Sequence, residues 1–313
     1  MKILANDGIS NSGVKKLEES GFEVITTNVA QEQLENYINE NEISGILVRS
    51  ATTVRKELID KVPSLKLIGR GGVGMDNIDV DYARSKGFKV INTPAASSHS
   101  VAELVFSHLF SCVRFLHDSN RNMPLEGDNN FKKLKKNYSK GIELKGKTLG
   151  IIGFGRIGSN LAKYALAFGM KVLAHDPYLK IKNQKVKQVT ALKDMLKKSD
   201  AVCICIHLNK KNFKFFDKKK QAQLKENCIL INTSRGEVID EMSLVKLIKR
   251  KKIKFFATDV VCDEHKLPSS KSKIFDISDY ENVYITPHIA GLTYESEELA
   301  SKITINNLKQ FFK

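Results

Sequence analysis

No segment constrains the fold of this chain more than Gly153-Phe154-Gly155-Arg156-Ile157-Gly158. Upstream, Lys147-Thr148-Leu149-Gly150-Ile151-Ile152 is a short apolar run of the kind that forms a buried parallel strand, and from Arg156 to Phe168 the apolar residues fall at helical spacing. Glycine-rich turns close many ordinary β-α connections, but between a strand and a helix each glycine here has its own task. Gly153 permits the tight turn, Gly155 lets a pyrophosphate approach the backbone, and Gly158 lets the helix pack on the strand with its N-terminal amides facing the anion. A second apolar run, Met170 to His175, leads into Asp176, 18 residues beyond Gly158, where a ribose-binding acid belongs. A carboxylate there accepts from ribose hydroxyls and repels an added phosphate. The expected cofactor is therefore NAD, with His175 and Lys180 able to soften the discrimination against NADP.

The first ninety or so residues alternate apolar β runs (Lys2 to Ala5, Glu23 to Thr26, Gly45 to Val48, Leu65 to Gly69, Lys89 to Asn92) with helical segments, the pattern of a small doubly wound α/β domain. A long helix is expected over about Val101 to Ser119. A polar, lysine-rich stretch from Asn120 to Lys145 then leads into the glycine turn. The last helix, Glu295 to Lys313, has no strand after it and can pack back on the first domain, making that domain discontinuous.

With 313 residues the chain can bury a large core, and a hydrophobic fraction of 42% is ordinary for a globular protein. No repeat is apparent. Met1 to Asp7 breaks into acid too soon for a signal peptide, and no apolar run approaches a membrane span, so a cytoplasmic location and no membrane partner are expected. The net charge of +16 raises the question of a nucleic-acid partner, but only nine of the 51 basic residues are arginine. Lysines spread along nearly every helix read as a solvated surface with no focused groove, so no nucleic-acid partner is expected. The five cysteines lack metal-like spacing and read as buried free thiols, with no metal site.

Three downstream residues bring chemistry: Arg235 in Asn232-Thr233-Ser234-Arg235-Gly236, Glu264 after Asp259, and His288 in Thr286-Pro287-His288-Ile289-Ala290-Gly291. Oxidising a secondary alcohol needs a group to take the hydroxyl proton while hydride leaves, and an imidazole suits that task. A carboxylate on the other ring nitrogen fixes the tautomer, as in a hydrolase triad. A fixed guanidinium holds a substrate carboxylate and polarises a carbonyl. Each residue taken singly reads as a turn, cap or surface group; together with the glycine turn they suggest redox chemistry on a carboxylate substrate. His207 ends the apolar run Ala201 to Ile206, where strand ends bind ligands, although a simple strand-end histidine reads equally well. Gly72 and Val73 lie in a glycine-rich turn whose amides can meet a carboxylate. Arg49 and Arg70 end apolar strands and can reach a phosphate, with Arg70 reading equally as an arginine that ties loops together.

These motifs, with Val48-Arg49-Ser50-Ala51-Thr52, Gly69-Arg70-Gly71-Gly72-Val73-Gly74-Met75-Asp76-Asn77-Ile78-Asp79, Asn92-Thr93-Pro94 and Val101-Ala102-Glu103, resemble a D-2-hydroxyacid dehydrogenase over almost the whole chain, closest to the short D-3-phosphoglycerate dehydrogenases. The resemblance implies two doubly wound α/β domains: a Rossmann dinucleotide-binding domain, residues 99–288, inserted in a smaller flavodoxin-like substrate domain formed by residues 1–98 and 289–313. It implies an active site in the cleft between them and a homodimer built through the dinucleotide domain. It places Arg156 and Ile157 at the pyrophosphate and His207 and Leu208 along the cofactor. Thr233 and Ser234 fall near the nicotinamide, Asp259 where it accepts from the carboxamide, and the loop from His288 to Gly291 over that ring. Arg49 and Ser50 fall near the substrate. The segment Asn209-Lys210-Lys211-Asn212-Phe213 departs from the proline- and threonine-containing segment usual in the family. The expected reaction is NAD-dependent oxidation of D-3-phosphoglycerate, a phosphorylated small molecule, with no C-terminal regulatory domain after Lys313. Glyoxylate or hydroxypyruvate reduction, D-lactate-type oxidation and an inactive NAD-sensing protein stay open as alternatives.

Overall fold

The structure, a computed structural model, describes residues 1–267 and 272–312. It divides into two compact units, residues 1–100 with 291–313 and residues 101–290.

The first unit holds strands β1 (Lys2–Ala5), β2 (Glu23–Ile25), β3 (Gly45–Val48), β4 (Leu67–Arg70) and β5 (Lys89–Asn92) in the order β2-β1-β3-β4-β5, every pairing parallel. Successive strand residues point to opposite faces and both faces are covered, which is why the central strand β3 is buried at every position and β1 at all but its first. Ile3 and Ala5 pack on one side with Leu17, Leu47 and Leu67, while Leu4 packs on the other with Ile46, Val48 and Ile68. Each fully buried Ile or Leu contributes about 1.5–3 kcal/mol. The helix Tyr294–Phe311 belongs to this unit and delivers Ile305 and Leu308 to the Leu17 side. Thr293 caps it by accepting from Ser296 N, and Ser10 Oγ donates to Ser301 Oγ at 3.0 Å.

The second unit holds β6 (Thr148–Ile152), β7 (Lys171–His175), β8 (Val186–Gln188), β9 (Ala201–Ile204), β10 (Cys228–Asn232), β11 (Ile253–Thr258) and β12 (Val283–Ile285), ordered β12-β11-β10-β9-β6-β7-β8 and again parallel. Strand residues again alternate between two cores. Leu149, Ile151, Ala201, Cys203, Ile229 and Ile231 lie in one, and Ile152, Val202, Ile204 and Leu230 in the other. Strand order reverses between β6 and β9, so their carboxyl ends form the switch point at which open parallel sheets bind ligands.

One sequence expectation is corrected here. The long helix expected over Val101 to Ser119 is two helices, Ser98–Arg114 and Leu116–Asn137, broken at Phe115, whose φ of 56° is left-handed. The second runs through the polar stretch from Asn120 that had no expected helix. Polar and lysine residues dominate it and Pro124 within it removes an internal hydrogen bond, so the stretch reads as a loop in the sequence. Among the described residues no helix is long and apolar enough to cross a membrane.

Candidate active site

The glycine turn follows β6. Gly153 has φ of 90°, donates its N–H to His175 O at 2.9 Å, and leaves only 2.7 Å between an added Cβ and Cys205 O. An added Cβ on Gly158 would stand 2.2 Å from Gly153 O, so helix Arg156–Ala167 and strand approach only because both residues lack side chains. Gly155 caps that helix without a side chain, and the space around its Cα is open. Arg156 is exposed and Ile157 partly buried in the first turn. Asp176, just after β7, accepts from Phe154 N at 2.8 Å through Oδ2 and from Tyr178 N at 2.9 Å through Oδ1, locking the acid to the glycine turn. After β9, His207 is exposed and Leu208 partly buried. The divergent segment beyond them is closed by its own asparagines: Asn209 Oδ1 accepts from Lys211 N and Asn212 N, and Asn212 Nδ2 donates to His207 O at 2.8 Å.

The ends of β10, β11 and β12 carry the reactive side chains. Asn232 shapes the first loop, accepting through Oδ1 from Ser234 N and Oγ and donating to Arg235 O. Thr233 is buried and Ser234 half-buried; Arg235 has extended backbone and donates through Nη1 to Ser234 O at 2.7 Å. Gly236 presses on the next segment so closely that an added Cβ would lie 2.1 Å from the Val261 carbonyl carbon and 2.2 Å from Cys262 N. The Arg235 loop and the segment entering Glu264 therefore touch backbone to backbone. Two acids hold that segment: Glu237 Oε1 accepts from Asp263 N, while buried Glu241 accepts from Cys262 N, Ser272 Oγ and Lys273 N. Glu264 follows Asp263, whose φ is 55°, and its Oε1 lies 2.5 Å from His288 Nδ1. Both side chains are about one-third exposed, His288 at 35% and Glu264 at 31%, enough for a small molecule to reach the imidazole.

Asp259 shows why His288 stands where it does. It is 1% exposed and accepts from Thr286 Oγ1, Ile289 N and Ala290 N, while its own carbonyl accepts from His288 N at 2.8 Å. The carboxylate expected at the carboxamide is thus engaged with the histidine loop.

In the first unit, Asp7 after β1 accepts from Arg49 N, Thr52 N and Thr52 Oγ1, and Asn77 donates to the carbonyls of Arg49 and Thr52, so the loop after β3 is held from beneath. Ser50 is exposed, and Arg49 Nη1 lies 3.6 Å from Glu297 Oε2. Gly72 N–H donates to Thr93 Oγ1 at 2.8 Å and approaches Arg70 O at 3.0 Å. Arg70 folds over Gly72 and donates to Gly71 O at 3.1 Å, the loop-tying arrangement. Gly291 rests near Ser97 in this unit. Cys112, Cys203 and Cys228 are buried, whereas Cys205 and Cys262 are partly buried, and burial pushes the Cys228 thiol up to about 12. Among the described residues no three His, Cys, Asp or Glu side chains gather as a metal site.

Comparison with known proteins decides the family. The family model described as "D-isomer specific 2-hydroxyacid dehydrogenase, NAD binding domain" matches residues 106–290, more than half of the chain. The chain belongs to this dehydrogenase family. D-3-phosphoglycerate dehydrogenase of Methanocaldococcus jannaschii is 35% identical over 100% of this chain, which spans only 58% of that relative. Hydroxypyruvate reductase of Thermotoga maritima is 34% identical over 100% of this chain and 97% of its own length. D-lactate dehydrogenase of Aquifex aeolicus, solved with NAD and lactic acid, superposes with a TM-score of 0.81 at 31% identity, covering 100% of this chain and 95% of the other. Residues 106–290 are thus an NAD-binding domain, and the side chains present fit NAD: a helix start without a side-chain cap, open space at Gly155 and an acid at the end of β7.

The supporting residues escaped sequence reasoning. Glu237, Glu241 and Asn232 are ordinary polar residues near turns, and only their long-range backbone partners mark them. Asp7 shows the same: its donors lie 42 and 45 residues away.

Proposed function

We propose that this dehydrogenase oxidises D-3-phosphoglycerate to 3-phosphohydroxypyruvate with NAD, the first oxidation toward serine. The contact between His288 and Glu264 carries the acid–base chemistry. A carboxylate only accepts, so the shared proton resides on Nδ1 and the neutral imidazole presents its Nε2 lone pair. His288 Nε2 takes the substrate hydroxyl proton as the carbon–hydrogen bond breaks, and Glu264 stabilises the imidazolium that results. NAD, when bound, supplies the hydride acceptor. Arg235 holds the substrate carboxylate and, in the reverse direction, polarises the carbonyl. Arg156, Ile157 and the three turn glycines take the pyrophosphate, Asp176 takes the ribose hydroxyls, and His207, Leu208, Thr233, Ser234 and Gly291 line the rest of the cofactor.

Arg49 is the residue we assign to the phosphate. Its partner Glu297 lies at 3.6 Å with both side chains partly exposed, a pair worth about 0–1 kcal/mol, which a phosphate dianion outcompetes. The name borne by the M. jannaschii relative supports this substrate. Hydroxypyruvate reduction is the second reading, supported by the T. maritima relative matched over nearly its full length. We also propose a homodimer, supported by the exposed apolar side chains Leu116, Met123, Leu125 and Phe131 on the helix Leu116–Asn137.

NADH oxidation by the purified protein with 3-phosphohydroxypyruvate, hydroxypyruvate, glyoxylate and pyruvate in parallel tests the substrate. A clear preference for the phosphorylated acid is expected. Preference for hydroxypyruvate moves the second reading to the front, and absence of turnover on all four points to an NAD-sensing protein.

A further inference from the structure

The backbone of His288 is held against a cost. Its φ of 55° is left-handed, a conformation that a residue with a Cβ disfavours, so the ring keeps this position only if its neighbours are fastened elsewhere. They are fastened to one side chain. Asp259 Oδ1 accepts from Thr286 Oγ1 at 2.6 Å and Ile289 N at 2.9 Å, and Oδ2 accepts from Ala290 N at 2.8 Å. Thr286 in turn lies 3.2 Å from Nε2 of His108, a histidine only 5% exposed on the helix Ser98–Arg114, outside the loop and outside the proposed chemistry.

Proton counting orients this chain of contacts. An ionised carboxylate has no hydrogen to give, so the single Thr286 hydroxyl proton is committed to Asp259. The contact between Thr286 and His108 then requires the ring to donate, which places the hydrogen of His108 on Nε2. The opposite tautomer would present a lone pair to the hydroxyl, compete for its proton and turn it away from Asp259. A neutral donor also leaves the charge of Asp259 undiminished for the three donors that shape the loop, and burial of His108 favours that neutral ring.

We propose that His108 is a positioning residue for His288, acting through Thr286 and Asp259 as an Nε2–H donor that fixes the direction of the threonine hydroxyl. Its bearing on turnover rests on the reading of His288 as the base; the tautomer and the loop geometry do not.

Long-range ¹H–¹⁵N spectra of the cofactor-free protein labelled at histidine nitrogen read the arrangement directly, with the His108 signal assigned by its loss in His108→Gln. The Nε2–H pattern is expected for His108. The His288 ring signals should move in Thr286→Val and His108→Leu but stay near the parent positions in Thr286→Ser and His108→Gln, which keep the hydroxyl and an N–H donor. An Nδ1–H pattern at His108, or His288 signals unmoved by Thr286→Val and His108→Leu, overturns the proposal. In turnover, the two disruptive variants should lose about tenfold in kcat with NADH affinity within about twofold of the parent, and the two conservative variants should recover most of the loss. A kcat within twofold of the parent in both disruptive variants overturns it as well. A parent enzyme without turnover on any 2-oxo acid sinks the base assignment instead, and the spectra still decide the positioning.

Discussion

Asp176 shapes the glycine turn, and cofactor choice is the further role we propose for it. Its oxygens hold Phe154 N and Tyr178 N, and in this proposal its charge disfavours the extra phosphate of NADP. Asp176→Asn removes the charge and, with one acceptor oxygen in place of two, keeps only one of these two hydrogen bonds. It should shift the ratio of kcat/KM for NADH over NADPH about tenfold toward NADPH, equivalent to about 1.4 kcal/mol; an unchanged ratio would remove Asp176 from cofactor choice. His108 makes a separate prediction about acid. Burial lowers its pKa in the folded state, with the charge of Asp259 opposing, so at acid pH the unfolded chain binds the extra proton more readily than the folded one. The resulting stability is present above the ordinary histidine value of about 6.5 and is lost as pH falls through the window below it. Melting temperatures at pH 7.5 and 5.5 should therefore fall further in the parent than in His108→Gln, and an equal fall in both would contradict this.

At the scale of elements, legibility followed burial. β1, β3 and β5 were readable to the residue: in β3 and in Ile3 to Ala5 of β1 every position is buried and apolar, and edge strand β5 keeps the β-branched pair Val90-Ile91 between polar ends. The helix Leu116–Asn137 was not readable, since asparagine and lysine dominate it and a proline stands inside it. Its apolar residues stay exposed, Leu125 at 80%, and this is where the homodimer prediction belongs. Light scattering after gel filtration should give twice 35.1 kDa for the parent and the monomer mass for Leu125→Asp. A monomeric parent would refute the dimer, and a dimeric Leu125→Asp would move its interface elsewhere.

Across the whole molecule, the glycine turn and the separated motifs carrying Arg235, Glu264 and His288 were visible in the sequence because each is a short run with its own local chemistry. The acids that hold them were not, because Glu241 and Asp7 act on backbone groups distant in sequence, and nothing local distinguishes such an acid from a solvated one; Asp259 was named, but its hold on Ile289 N and Ala290 N was not. Gly72 shows the same kind of partner: its amide donates to Thr93, 21 residues on. The account as a whole stands on His288 as the base. The most direct test is steady-state turnover of His288→Ala with the preferred 2-oxo acid, paired with NADH titration of the same protein. A loss in kcat of about 10²- to 10⁴-fold with NADH affinity retained is the predicted result. Turnover within a few-fold of the parent would contradict it.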